Sequence, residues 1–547
     1  MPGMARGRHS SMASRWRRTE LVFLLVYAAA FYFLVAQKSL KLAEDYSIGK
    51  NSGRLRGLRQ ERFWARLNDV SDSQWRSFRE NLPLLALVMA SFILINTTTR
   101  SLFSLQGKGT ARMWLVSSLV FIFYLHGACS FLMLTIAFGN FLLVKVMAGS
   151  SCLPPILWLY NMVFLVSNRV YEGYSFSQIG NKFAFLDSHR GVQRWHISFN
   201  FVMLRMVSFG LDYHWACISR ASTVDWEKHS KSCDICQSGA ECYLKRQEKF
   251  LTLSSYSPEA YLSYLFFPPL YIAGPMISFN AFASQLEYPQ TSFNKRDISL
   301  YGLRWIGCLL LMELLTHLFY FNSLAVSGVW QNLLPWEIFV VGYGVLNFMW
   351  LKFLLIWRFF RFWALVGGVE AVENMPHCIN NCYDLEGFWK SWHASYNRWL
   401  VRYLYIPLGG QHWRILNIWI IFTFVAIWHD LEWKLLSWAW VTCLLMAPEL
   451  VVKSLTRTTW VQRVHEAAFY RELCAIGGSF NITGLMTANL IGFVVGPERM
   501  QWLLHTLVER KNIPTSLAIL FSFYIGTKLM FHVREIKMLR ERNKQAD

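Results

Sequence analysis

GFWKSWHASYNRWLVRYLYIPLGG, Gly387–Gly410, is dense in Trp and Tyr yet carries Lys390, His393, Asn397, Arg398 and Arg402. Residues three or four apart share a helix face. On a helix, Trp389, His393 and Asn397 therefore form one stripe, and Lys390, Arg398 and Arg402 form its neighbour. An interfacial membrane helix accounts for the rings and the cations, with Trp in the head-group belt and Lys and Arg snorkelling to water. It does not account for His393 or Asn397. Beyond them, Pro407–Gly410 breaks the helix, and Arg414 leads into another apolar run that ends in IWHDLEW.

The surrounding chain sets the context. Of its 547 residues, 54% are hydrophobic, 16% aromatic and only 16% charged, against about a quarter charged in soluble proteins. The apolar residues gather in windows near the length of a membrane helix, about 20 residues. These are Leu21–Ala36, Leu82–Asn96, Trp114–Phe138, Leu153–Val166, Tyr261–Phe279, Leu303–Phe321, Ile338–Ile356, Ile415–Trp428, Leu435–Val452, Ile482–Val495 and Ser516–Phe531. Trp114–Lys145 has room for two crossings, and Trp195–Leu211 is a weaker window. The expectation is an all-α polytopic membrane protein of about 11 crossings. Leu21–Ala36 is too long for a signal-peptide core and reads as an anchor or first crossing.

The net charge is +20, but no nucleic-acid motif accompanies it, and no nucleic-acid partner is expected. Arg6, Arg8, Arg15, Arg17 and Arg18 precede the first window, and Arg534, Lys537, Arg540, Arg542 and Lys544 follow the last. Positive residues favour the cytoplasmic side, which puts both termini there. The basic connection Lys38–Glu80 would then be luminal. The expected organisation is a basic cytoplasmic tail, 1–19; N-terminal membrane segments, 20–110, with a polar loop over 38–80; a core, 111–533, with a polar loop over 212–257; and a basic tail, 534–547.

There are 11 cysteines, and only Cys217, Cys233, Cys236 and Cys242 cluster, near His214 and His229. One CxxC pair falls short of the two paired ligand sets of a structural zinc site. Free thiols, or a disulfide on a luminal side, are expected, and no metal. Glu313 and His317, at i,i+4 in an apolar run, read as a structural pair. Asn347 reads as a residue that bonds between helices.

His429 ends the run IWIIFTFVAIWH. An ionisable group within a membrane segment is costly and marks a functional site, although a helix-end histidine touching water also fits. The tight break between the segments of His393 and His429 lets both imidazoles enter one membrane cavity. There a neutral histidine can take a proton from a hydroxyl attacking an acyl carbonyl.

Several segments, in order, resemble the membrane-bound O-acyltransferase (MBOAT) family. LYIAGPMISFNAF at Leu270–Phe282 is similar to its middle segment. FWKSWHASYNRWLVRYLYIPLGG is similar to its first catalytic motif, and FVAIWHDLEWKLLSWAWV to its second. The wording is nearest to the Gup (glycerol uptake) proteins and their hedgehog-acyltransferase-like relatives, and NITGLMTANLIGFVVG near the end agrees. Many family members have Gly after the second-motif histidine, where this chain has Asp430.

The resemblance implies a helical body around a central tunnel. It also implies catalytic roles for His429 and His393, with acyl-CoA as donor substrate and no permanently bound cofactor. Trp389, Asn397 and Trp428 would be substrate-binding residues. Lys390, Arg398, Arg402, Arg358 and Arg361, with Lys352, are candidate cations for the donor's phosphates. The expected function is transfer of a fatty acyl group to a hydroxyl of a lipid acceptor in the endoplasmic reticulum membrane. The Gup likeness suggests a lyso-form glycosylphosphatidylinositol (GPI) anchor as acceptor. The alternatives are a glycerol or polyol transporter, or a non-catalytic membrane regulator. A regulator of this kind would have lost the motif histidines, and this chain keeps both.

Overall fold

Lipid offers no partner for backbone N–H and C=O groups, so the apolar windows fold into helices that satisfy themselves. A computed structural model describes residues 3–47, 55–61, 64–219, 224–455 and 469–546. Among the described residues, eight helices are long and apolar enough to cross a membrane: Arg18–Ser47, Ser73–Phe103, Cys129–Met147, Lys295–Leu318, Pro335–Val366, Trp433–Lys453, Tyr470–Val495 and Ile513–Arg540. Four further helices run among them, Lys108–His126, Leu153–Val170, Trp195–Cys217 and Arg414–His429. The long window Trp114–Lys145 does hold two helices, parted at Gly127. The first helix continues to Ser47 and the next begins at Ser73, so the connection is shorter than 38–80.

The outer helices turn Leu94, Leu303 and Leu310 outward, each more than 60% exposed. Such faces suit acyl chains rather than water. The interior is built on Trp195–Cys217, whose Phe199, Val202, Met203, Leu204, Met206, Val207 and Phe209 are fully buried. This weaker window of the sequence is thus the central helix.

The window Tyr261–Phe279 is no crossing. Pro268, Pro269 and Pro275 divide it into short buried helices, Pro258–Leu265 and Pro268–Tyr271, before Phe279–Glu287. Such breaks strand carbonyls at the helix ends. The buried Arg205 guanidinium donates to the Leu265 and Leu270 carbonyls, each at 2.6 Å. A Cβ on Gly274 would lie 2.4 Å from Leu270 Cα, so the backbone of this motif can fold back only with glycine there.

Away from the core, Glu313 meets the His317 ring through its backbone carbonyl rather than its carboxylate. Its carboxylate receives Arg79 at 2.6 and 2.8 Å, and His317 Nδ1 lies 2.7 Å from the Glu313 backbone carbonyl. Arg79 has the greater claim because its planar guanidinium meets both carboxylate oxygens. Asn347 accepts from Asn380 at 2.7 Å, which ties it to the 379–381 turn.

Candidate active site

The motif around His393 is not one continuous helix. Leu385–Ser391 ends, Trp392 is extended, and His393 takes a left-handed backbone, φ 49°, before Ala394–Leu400 begins. The i,i+4 stripe is therefore interrupted at His393 itself. A non-glycine residue in this region carries strain that tends to gather at functional sites. His393 occupies the N-cap position, yet Asn374 does the capping. The Asn374 carbonyl accepts from Ala394 N–H at 3.1 Å, and its side-chain oxygen accepts from Ser395 N–H at 3.0 Å. The imidazole is released for other use. It stacks on Trp357 with centroids 4.4 Å apart, and its buried Nε2 has no hydrogen-bond partner among the described residues.

His429 is the last residue of Arg414–His429. The final carbonyls of a helix need outside donors, and two residues supply them. The Asn200 side-chain amide donates to the Trp428 carbonyl, and Trp428 Nε1 donates back to the Asn200 carbonyl at 3.0 Å. Arg169 donates to the His429 carbonyl at 2.9 Å and pairs with Asp430 at 3.7 Å. Asp430, the departure from the usual glycine, is thus the counter-ion of the arginine that holds the His429 backbone.

His393 and His429 both line one cavity of about 1360 Å³, as do Trp389, Lys390, Asn397 and Trp428. Arg414, Ile418, Ile421, Phe422, Val425, Trp428 and His429 line it too. These residues form one face along the whole of their helix, so the cavity runs about 22 Å beside it, against a hydrocarbon thickness of about 30 Å. It is the tunnel expected from the sequence. The wall also includes Tyr405, which ends the π-helical turn Val401–Tyr405, and Phe493 of a second such turn, Ile491–Val495. A Cβ on Gly492 would meet Trp438 at 2.8 Å, so glycine lets this second turn close on the wall beside His429.

Cations gather at the Arg414 end. Glu386 accepts Lys390 at 2.8 Å and Lys453 at 2.9 Å, and Arg414 lies 3.6 Å away. Lys453 also pairs with Glu449 at 2.6 Å. Only Lys390 of this group stands out in the sequence.

The other candidate cations lie off the cavity. Arg402 is buried against Asp212, at 3.3 Å, and Glu248, and its guanidinium stacks over Trp215. Arg358 and Arg361 share Glu373 at 3.3 and 3.7 Å, and Lys352 pairs with Asp72 at 2.8 Å. Arg398 is exposed. Helical spacing places such residues on a face but cannot reveal a carboxylate brought from another segment. Arg169, Asn200, Trp357, Arg414 and Lys453 were missed for the same reason, because each meets the site through tertiary contact.

The MBOAT family model, membrane-bound O-acyltransferase family, matches residues 155–492. The chain belongs to this family. It is 33% identical to membrane-bound O-acyltransferase GUP1 of Saccharomyces cerevisiae, over 95% of this chain and 92% of that one. It is 34% identical to membrane-bound O-acyltransferase gup1 of Schizosaccharomyces pombe, over 85% and 80%. A more distant relative is protein-cysteine N-palmitoyltransferase HHAT of Mus musculus, 26% identical over 44% of this chain and 50% of that one. The chain is thus an acyltransferase of a multi-pass membrane family.

Proposed function

We propose that this acyltransferase moves a fatty acyl group from acyl-CoA to a hydroxyl of a lipid, with a lyso-GPI anchor as the acceptor suggested by its likeness to the Gup proteins. The observation that carries the reading is the single cavity with two imidazoles in its wall and cations at one end. The cluster of Lys390, Arg414 and Lys453 would receive the donor's phosphates, and an extended phosphopantetheine arm would carry the thioester along the Arg414–His429 wall. The apolar remainder would hold the acyl chain. A polyol path would call for a largely polar wall, whereas this one is mostly Leu, Ile, Val, Phe and Trp.

In the transfer, His429 takes the proton of the acceptor hydroxyl as its oxygen attacks the thioester carbonyl. The C–S bond breaks as the tetrahedral intermediate collapses, and the departing thiolate takes the proton from the imidazolium. His393 orients the acceptor hydroxyl or the thioester.

The proposed sidedness rests on counting the helices. If the four further helices cross as well as the eight long apolar ones, the twelve passes return the C-terminal tail to the side of the N-terminal one. The pairs of Glu20 with Lys528 at 2.6 Å and His532 at 3.0 Å agree. With the basic tails in the cytoplasm, the cation cluster faces the cytoplasm and the His429 end faces the lumen of the endoplasmic reticulum. The test is acyl transfer by the purified protein in nanodiscs, with labelled acyl-CoA and a panel of lyso-lipids including lyso-GPI. Absence of any acyl-CoA-dependent product, with native protein present, overturns the reading.

A further inference from the structure

The polar segment after Trp195–Cys217 holds a cluster that acyl transfer does not use. His229, Cys233, Cys236 and Cys242 each contribute one ligand atom to a group whose members all lie within 4.8 Å of one another. His229 Nε2 lies 3.2 Å from Cys242 Sγ and 3.6 Å from Cys236 Sγ. Tetrahedral zinc, with bonds of about 2.3 Å to sulfur and about 2.0 Å to nitrogen, has N···S edges of about 3.6 Å. The cysteines are all free thiols. Cys217 sits at the end of its helix, apart from the group.

Local structure builds this convergence. Asp225 caps Trp226–Ser232, its carboxylate accepting Lys228 N–H at 3.1 Å, and so sets His229 one turn before Cys233. Cys233 opens the turn Asp234–Gln237, which folds Cys236 back. The backbone N–H groups of Ile235 and Cys236 face the Cys233 sulfur, and Lys245 N–H donates to Cys242 Sγ at 3.5 Å. Donors of this kind hold thiolates in place around a metal.

We propose that His229, Cys233, Cys236 and Cys242 bind one zinc ion in a closed structural site. Four protein ligands leave no open position for a reacting water. The site ties the segment to the cavity wall. Cys242 directly precedes Tyr243–Glu248, whose Glu248 pairs with Arg402 and whose Gln247 carbonyl accepts the same guanidinium at 3.2 Å. Arg402 belongs to the π-helical turn that ends at the cavity-lining Tyr405. On the sidedness proposed above the segment faces the cytoplasm, where thiols stay reduced; the proposal itself rests on the cluster's geometry.

Metal analysis of the full-length protein, purified in detergent without chelator, tests it. About one zinc per chain is expected, and cobalt substitution should give the absorption of a tetrahedral thiolate site. Cys236→Ser and His229→Ala should lose the metal, and Cys217→Ser should keep it. Stripping zinc from the wild-type protein should lower its melting midpoint. Wild-type protein without stoichiometric zinc overturns the site, whether its thiols titrate as free or as a disulfide, and so does full zinc retention in Cys236→Ser. An unchanged midpoint after zinc removal overturns the structural role.

Discussion

His429 and His393 carry different parts of the proposed chemistry, and their settings differ accordingly. His429 is held through its backbone by Arg169 and follows Trp428, whose carbonyl Asn200 holds. His393 is held by its strained backbone and the Trp357 ring. His429→Ala should lower acyl transfer by about a hundred- to ten-thousand-fold, the usual cost of a lost general base, with normal yield of folded protein. Near-normal turnover by the purified variant would end the assignment. Because the role proposed for His393 is hydrogen bonding, His393→Asn should retain part of the activity and His393→Leu should lose most of it. Equal inactivity of His393→Asn and His429→Asn would contradict this division. Arg169→Met should lower kcat with little change in KM, because it shifts the His429 backbone rather than the donor's phosphates.

At the scale of elements, breaks and connections matter more than regular helix. The connection before Ser73 forms a small two-stranded ribbon, Leu58–Arg59 against Asn68–Asp69. Its Asp69 is buried, which pushes the carboxyl up to about 6 although Ser71 and the backbone of Ser323 donate to it. A carboxyl whose folded value lies above its unfolded value binds its proton more tightly when folded. Its contribution is therefore full below about pH 4 and is lost as the pH rises through about 6. Asp69→Asn should reduce the fall in melting midpoint between acidic and neutral pH. A pH profile identical to the wild type would show that Asp69 does not produce it.

Across the whole molecule, two sets of cations separate binding from architecture. Arg402 joins the central helix, through Asp212, to the segment carrying Glu248. Removing it leaves a buried charge without its partner, at a cost of about 3–5 kcal/mol. Arg402→Met should thus lower stability and yield, with an unchanged KM for acyl-CoA in the protein that survives. Arg414→Ala with Lys453→Ala should do the reverse, raising that KM while the melting midpoint moves little. Binding of a non-hydrolysable acyl-CoA separates the two outcomes, and equal affinity in the Arg414/Lys453 variant would remove the phosphate role of the cluster.

The sequence by itself determined the solvent, the helical class and the family, and it singled out the two candidate histidines. Each of these depends on composition, on the length of apolar runs or on short motifs, which are local properties of the chain. Tertiary structure alone decided which charges are available to a ligand. Lys390 and Arg402 belong to the same basic stripe, yet Lys390, paired with the neighbouring Glu386, lines the cavity, whereas Arg402 is buried off it against Asp212 and Glu248, residues more than 150 positions away in the chain. It also decided that Tyr261–Phe279, apolar enough to cross, is broken and buried, because the fully buried Arg205 supplies the donors that lipid cannot. The thiols followed the same rule. One CxxC pair falls short of a metal-ligand set in the sequence, and only the fold brings His229 and Cys242 within 4.8 Å of it.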